Sequence, residues 1–377
     1  MAGVYIHIPY CRQACHYCDF HFSTNLQDQE LMIKCLSQEI SIRKDFLKEP
    51  VETIYFGGGT PSLLSVKSLD LLIKTLRTSF IVTNDAEITL EANPDDLSKS
   101  KLEQLIMAGI NRLSIGIQSF DNTILSYLNR SHDAESALVA LTDARQVGFS
   151  NISLDLIYAI PDLSMDMWRK TINTALEFKP EHISTYGLTI EDKTPFGTWL
   201  KKGQLKLMDE ESAARQFETL GEMMLAAGYD QYEISNFSLP GMHSRHNSSY
   251  WTQTPYLGVG PGAHSYDGAS RFSNVRSNPR YTQSIMDGKP DMEAELLHSK
   301  EKINEFILTT LRTKWGCNLE VLKTQLGDDL MARRQAYITQ QQLAGLILVE
   351  HNVIRLTSRG KLLADKITED LMVDDSD

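Results

Sequence analysis

No apolar run in this 377-residue chain approaches the roughly 18–20 residues that a membrane-spanning helix needs, so we expect no transmembrane segment. No basic segment, apolar h-region or cleavage site precedes the first strand-like run, which leads us to expect no signal peptide and a cytoplasmic location. Positive charge is in deficit. The 37 Lys and Arg against 49 Asp and Glu leave a net charge of -12, which speaks against a nucleic-acid partner. Cysteine is scarce, at five residues. Three of the five share one loop too tight for a disulfide framework, and ligand chemistry in a reducing compartment is the better reading. There is no second cysteine pair of the kind that structural zinc loops draw on. No Gly-Lys-Ser/Thr sequence ends a glycine loop, so nucleotide binding through a P-loop is rejected. No repeat of fixed period and no low-complexity segment is present. What remains is a chain 42% hydrophobic, long enough for a large core in two or three domains or in one barrel with an appendage.

Strand-like and helix-like segments alternate over the first half. Val4–Tyr10, 51–56, 87–92, 112–117, 152–157 and 182–188 read as strands, and 26–47, 68–76, 97–108, 136–147 and 165–178 as helices. Repeated strand–helix steps with right-handed crossovers give a parallel sheet, curled into an incomplete barrel or left open. Functional groups are then expected on loops at the C-terminal ends of the strands. After a further short strand at Tyr232–Ser235, we expect a long irregular stretch to about Asn278. Helices return from Lys300. A hairpin at 346–350 and 353–356 turns at His351-Asn352, and 360–371 is helical, which together suggest a small winged-helix-like module. The tail 373–377 is expected to be disordered. The expected division is 1–228 as the core barrel, 229–299 as a barrel extension with an irregular region, and 300–377 as the C-terminal module.

The chemistry starts at Cys11-Arg-Gln-Ala-Cys15-His-Tyr-Cys18, directly after the first strand. Three thiolates on one short loop can hold three corners of an iron–sulfur cube and leave the fourth iron open to a small molecule. The alternative is zinc, with His16 or His21 as fourth ligand; the spacing favours iron–sulfur. Cys35 and Cys317 read as ordinary packed thiols. Gly57-Gly58-Gly59-Thr60-Pro61 follows the second strand, where missing side chains let a polar ligand approach the backbone.

A C-x3-C-x2-C loop after the first strand and a Gly-Gly-Gly-Thr-Pro loop after the second resemble the radical S-adenosylmethionine (SAM) enzymes. The resemblance implies a partial (β/α)6 TIM-like barrel. It also implies a [4Fe-4S] cluster on Cys11, Cys15 and Cys18, with SAM chelated to the free iron and a protein electron donor. Tyr5–Cys11, Glu91-Ala92-Asn93-Pro94, Arg112–Phe120, Leu128-Asn129-Arg130 and Asp155-Leu156-Ile157-Tyr158 narrow it to the oxygen-independent coproporphyrinogen III oxidase superfamily. By position, Tyr5, Gly58 and Glu91 then look like contacts to the cluster-bound SAM. Tyr17, Gly59, Thr60, Gln118, Arg130 and Asp155 match positions around a second SAM site. For each of these the alternative is an ordinary strand-end residue of a barrel.

Two features separate the chain from the oxidase. Phe20 stands where the oxidase carries a further cysteine. His246-Asn247-Ser248-Ser249-Tyr250-Trp251 resembles the His-Asn-x-x-Tyr-Trp motif of the haem chaperones in the same superfamily. Asp19-Phe20, Tyr232–Ser235 and Leu257–Ser265 also resemble that branch. A neutral imidazole suits haem iron, and Tyr250 and Trp251 offer flat faces to a porphyrin. His246 is the expected haem contact, with His243 and His264 as fallback ligands. The resemblance implies a haem chaperone that passes haem to an acceptor protein. The enzymatic alternative is oxidative decarboxylation of coproporphyrinogen III. Peripheral membrane association and a homodimer stay open.

Overall fold

The computed structural model describes residues 1–374. Six parallel strands form its centre: β1 (Ala2–Ile8), β2 (Val51–Gly58), β3 (Val82–Ala92), β4 (Arg112–Gln118), β5 (Ile152–Tyr158) and β6 (His182–Gly187), paired in chain order. Helices α1 (Gln29–Ile42), α2 (Val66–Ser79), α3 (Lys99–Met107), α4 (Asn122–Tyr127), α5 (Ala134–Val147) and α6 (Met165–Phe178) fall in the crossovers. Their starts follow from capping side chains. Ser65, Ser98, Asp133 and Ser164 each accept a backbone N–H of the first turn of their helix. The strands read as apolar runs because one set of alternate residues, such as Val4, Ile6 and Ile8 of β1, is buried beneath helices. The other set, including Tyr5, Glu91, Ser114, Asp155 and Tyr186, lines a single cavity. Side chains from β1 and β6 can share one cavity only if the sheet curls, so the expected partial barrel is present.

The sheet continues past the six strands at both edges. After α7 (Pro195–Lys201) and α8 (Glu210–Ala226), β7 (Asp230–Glu233) and β8 (Asn236–Ser238) add antiparallel beside β6. Helix α9 (Arg245–Trp251) and strands β9 (Tyr256–Val259), β10 (His264–Tyr266) and β11 (Ser270–Asn274) occupy the stretch expected to be irregular, so that expectation is corrected. These elements span only three to seven residues each and are rich in Ser, Asn, His and Gly, which hides their periodicity. β9 pairs parallel with β1, and β10, β11 and β12 (Met292–Leu296) follow antiparallel, giving twelve strands in one open sheet. Helix α10 (Asn278–Met286) packs on α1.

A second hydrophobic cluster runs from Ile303 to Leu371. It contains α11 (Ser299–Leu311), α12 (Leu319–Gln325) and α13 (Leu330–Leu343). A three-stranded antiparallel sheet joins β13 (Cys317–Asn318), β14 (Ile347–Glu350) and β15 (Val353–Leu356). His351 and Asn352 turn the hairpin with positive φ, as expected of its sequence. The chain is not free from Val373 onward: Val373 exchanges hydrogen bonds with the Asn304 side chain at 2.7 and 3.0 Å. The rest of the acidic tail, from residue 375, lies outside the described residues. Among the described residues no helix is long and apolar enough to cross a membrane.

Candidate functional site

The three cysteines and nine of the ten expected cofactor contacts line one cavity of about 1030 Å³ at the C-terminal ends of the barrel strands. Cys11, Cys15 and Cys18 sit on the loop that leaves β1. That loop is pinned to the segment after α4. The Asn129 amide donates to the Ala14 carbonyl at 2.7 Å and accepts from the Gln13 amide at 2.8 Å, and Asn129 takes a left-handed backbone to do so. Arg130, beside it, is half-buried in the wall. One guanidinium nitrogen donates to Asn93 Oδ1 at 2.6 Å and to the Gly116 backbone carbonyl at 2.7 Å, and another meets Cys15 Sγ at 3.5 Å. Thr60 Oγ1 donates to Cys11 Sγ at 3.3 Å.

These surroundings fit a cluster better than zinc. Among the described residues no three His, Cys, Asp or Glu side chains converge to hold a single ion. Each candidate fourth ligand has one ring nitrogen engaged: His16 Nδ1 pairs with the Tyr127 carbonyl at 3.0 Å, and His21 Nε2 with Asn278 Oδ1 at 2.7 Å. Burial pushes the Cys11 thiol up to about 11 and raises Cys18, so the free thiols hold their protons until a strongly Lewis-acidic partner replaces them. Cys35 and Cys317 are buried away from the cavity.

The glycine loop is built by close approach. A Cβ on Gly59 would stand 2.5 Å from the Tyr10 carbonyl oxygen, and one on Gly58, at φ +106°, 2.4 Å from His7 Nδ1. The loop uses its own donors internally: Gly58 N–H goes to Glu91 Oε2 at 3.0 Å, Gly59 N–H to the Ile8 carbonyl at 2.9 Å and Thr60 N–H to the Tyr10 carbonyl at 2.7 Å. What it has left for a ligand is carbonyl oxygen, an acceptor suited to an ammonium group.

Glu91 and Asp155 face the cavity from β3 and β5. Glu91 also accepts from Tyr55 OH at 2.7 Å. Burial raises Glu91 to about 7, with the Asp155 charge adding to the shift, and burial raises Asp155 to about 6. Arg112, just below, lowers both, yet its Nε and Nη1 have no hydrogen-bond partner among the described residues although the residue is 1% exposed. Tyr5 and Tyr17 are held firmly protonated by burial. Gln118 reaches the wall from a left-handed backbone at φ 66°.

His246 is the expected site residue that the cavity does not contain. It lies beneath the floor, 1% exposed, with Nδ1 at 2.8 Å from Thr53 Oγ1 and Nε2 at 2.9 Å from Tyr250 OH. The Glu87 carboxylate accepts the backbone N–H groups of Arg245 and His246 and clamps α9 to the barrel. Burial and the Arg112 charge push the His246 imidazole down to about 3. The ring is therefore neutral, but both of its nitrogens are taken. Tyr250 of the same motif does line the cavity. Residues not singled out from the sequence also line it, among them His7, Asn93, Tyr186, Tyr256 and Arg276. Alternation along β1 and β6 was signal enough for His7 and Tyr186. Tyr256 and Arg276 reach the site through short elements with no such signal.

Residues 5–175 match the model of the radical SAM superfamily, and residues 297–363 that of the HemN C-terminal domain. A Bacillus subtilis protein named heme chaperone HemW is 36% identical over 371 residues, covering 97% of this chain and 98% of that one. A Lactococcus lactis protein of the same name is 33% identical, covering 99% and 98%. Among solved structures, coproporphyrinogen III oxidase (HemN) from Escherichia coli, described as a radical SAM enzyme, superposes with a TM-score of 0.85 at 23% identity, over 99% of this chain and 90% of that one. That likeness establishes the fold. The identity to the first two, sustained from end to end, establishes that the chain belongs to the HemW family of radical SAM proteins.

Proposed function

We propose that this chain is a haem chaperone: it binds haem as cargo and hands it to an acceptor protein, with a SAM-ligated [4Fe-4S] cluster held by Cys11, Cys15 and Cys18. The observation that carries the reading is the end-to-end identity to proteins named as heme chaperones. The donor set fits the cluster. Three soft thiols share one loop, with a guanidinium beside Cys15 and a hydroxyl donating to Cys11.

When bound, such a cluster supplies electrons to SAM at its open iron, and an electron-donor protein has to reduce it. The chain's own residues do the rest. Carbonyl oxygens of the glycine loop receive an ammonium group, and the carboxylates of Glu91 and Asp155 accept hydroxyl donors. Arg130 supplies a fixed positive charge beside Cys15. Tyr17, Gly59, Thr60 and Gln118 complete the wall around the SAM pocket. His246 and Tyr250 close the floor. Iron ligation by His246 requires α9 to release Thr53 and Glu87.

The test is a haem titration of anaerobically reconstituted protein, run beside an anaerobic assay with SAM, reductant and coproporphyrinogen III. We expect a Soret shift and no protoporphyrinogen. Efficient turnover without haem binding would replace the chaperone reading with the oxidase one.

A further inference from the structure

A cluster on the cysteine loop can be reduced only if an electron reaches it through the protein surface. The crest of the loop, Arg12-Gln13-Ala14, is exposed, so little chain covers the thiols on that side. Behind the crest the loop is backed by α7. The Phe196 N–H donates to the His16 carbonyl at 3.1 Å. The His16 ring, which lies between Cys15 and Cys18 in the chain, meets Phe196 at 5.6 Å and Trp199 edge-on at 4.7 Å between ring centroids. Tyr127, whose carbonyl holds His16, packs on Phe196 at 5.0 Å and joins the end of α4 to the same wall.

The outer surface of this wall carries charge opposite to that of the chain as a whole. Residues 193–208 hold four lysines, Lys193, Lys201, Lys202 and Lys206, and no acid, in a chain of net charge -12. All four are exposed. Lys201 pairs with Asp192 at 3.0 Å, whereas Lys193, Lys202 and Lys206 have no carboxylate partner among the described residues. Acids bound the stretch at both ends, Glu191 and Asp192 before it and Asp209, Glu210 and Glu211 after it. On the crest, Asp96 offsets Arg12 at 3.1 Å, and the Asp162 charge reaches Tyr127. Trp199 is half-buried and Leu207 is 51% exposed, which sets apolar surface among the lysines. An aromatic anchor with charge around it is the composition of a protein interface. Like charges held on one face repel, and an acidic partner relieves that repulsion.

We propose that α7 and the segment 201–207 after it form the docking surface of the electron donor, and that the donor is a small acidic one-electron carrier protein. This rests on the cluster reading of Cys11, Cys15 and Cys18 and gives the chemistry of the partner that reading requires. Charge complementarity selects the occupant: the acidic chain repels such a carrier over most of its surface and attracts it beside the cysteine loop. The transfer balances. One electron leaves the reduced carrier, which is oxidised by one equivalent, and enters the cluster, which is reduced by one; no bond forms or breaks. None of residues 193–207 lines the cavity, so the donor and a cavity ligand can be bound at the same time.

The experiment uses the anaerobically reconstituted protein and, as probe, an acidic flavodoxin. Affinity is read by biolayer interferometry, and electron transfer by bleaching of the visible cluster absorption after rapid mixing with reduced flavodoxin. Lys202→Glu combined with Lys206→Glu is compared with wild type. The control is Lys34→Glu combined with Lys44→Glu, an equal charge change at exposed residues on and just after α1, which packs on α2 and α10. At low salt the first pair should lose roughly tenfold or more in affinity and bleaching rate, and the control less than about twofold. At about 1 M salt, where screening acts over about 3 Å, the wild type should fall to the level of the first pair. Retained visible absorption shows that each variant has folded and holds its cluster. Equal losses in the two pairs would reduce the effect to net charge and overturn the assignment. Flavodoxin binding by the wild type that is absent or indifferent to salt would also overturn it. Loss confined to binding of phosphatidylglycerol vesicles would give the face to a membrane instead. Absence of cluster absorption in the reconstituted wild type would overturn the cluster reading beneath it.

Discussion

Glu39→Gln is the substitution from which the structure predicts the sharpest loss of stability, although it adds or removes no bulk. Glu39 sits on α1 at 0% exposure and accepts four hydrogen bonds. Oε1 takes Arg43 at 3.2 Å and the Asn274 amide at 2.8 Å; Oε2 takes Gly260 N–H at 2.8 Å and Tyr281 OH at 2.6 Å. A glutamine must aim its NH2 at one of these donor pairs. The less costly choice is the Gly260–Tyr281 side, where the tyrosine hydroxyl can turn to accept. Gly260 N–H is then orphaned and Arg43, 7% exposed, loses its countercharge. Removing one partner of a buried ion pair costs about 3–5 kcal/mol. An unfolding entropy of about 2.1 cal/mol/K per residue gives about 0.8 kcal/mol/K for a chain of this length, so the thermal midpoint should fall by about 4–6 °C. Replacing the pair together, as Glu39→Leu with Arg43→Met, should not recover the loss, since Gly260 N–H and Tyr281 OH lose their acceptor and the Asn274 amide keeps only the Gly260 carbonyl. Thermal unfolding followed by far-UV circular dichroism reads both variants. A Glu39→Gln midpoint within about 1 °C of wild type, less than about 1 kcal/mol, would refute the reasoning. So would a double variant as stable as wild type, which would reduce the cluster to a charge pair.

Other outcomes follow from the cavity. Changing Cys11, Cys15 and Cys18 together to serine should abolish the broad visible absorption of the reconstituted protein, and persistence of that absorption would remove these residues as ligands. Glu91, raised from its usual value to about 7, binds its proton more tightly in the folded than in the unfolded protein. Its contribution is therefore complete below the ordinary carboxylate range and lost as pH rises through about 7; ligand-free Glu91→Gln should show a flatter stability profile from pH 5 to 8 by denaturant titration, and an unchanged slope would count against the assignment. Because the Arg112 charge lowers both Glu91 and Asp155, Arg112→Met should move that titration to higher pH, and no movement would place the guanidinium outside the acid pair's field. Gly59→Ala should lose about 1–3 kcal/mol or more against the rigid carbonyls of Tyr10 and Ile8. Gly221→Ala, in the interior of α8 with nothing within 4 Å, should instead gain about 0.5–1 kcal/mol; equal effects of the two in thermal melts would sink the packing argument.

What could be read from the sequence and what could not divide along a physical line. The six barrel strands announce themselves because one face is buried under helices and the other turns to the cavity, so Glu91 and Asp155 stand out as carboxylates inside apolar runs. The cysteine and glycine loops were legible for a different reason: each is a local device whose spacing is its chemistry. β9 could not be anticipated next to β1, since that pairing joins residues about 250 positions apart through a four-residue strand. His246 is the most instructive case. Its motif specifies residue types at a helical spacing, and the spacing is realised: His246 and Tyr250 are one turn apart and hydrogen-bonded. What no local pattern contains is the side on which the helix is closed. Glu87, from β3, accepts the first N–H groups of α9 and turns the imidazole inward, onto Thr53 and under Tyr5 and Tyr55. The same residues could serve an iron or a barrel floor, and a carboxylate more than 150 positions upstream decides between them. Its removal, by Glu87→Gln, should loosen α9 and raise hydrogen exchange at Arg245 and His246 while leaving Cys11, Cys15 and Cys18 with their cluster. Undiminished protection at those two amides would mean that the floor is held by packing alone, and the imidazole would then owe its orientation to Tyr250.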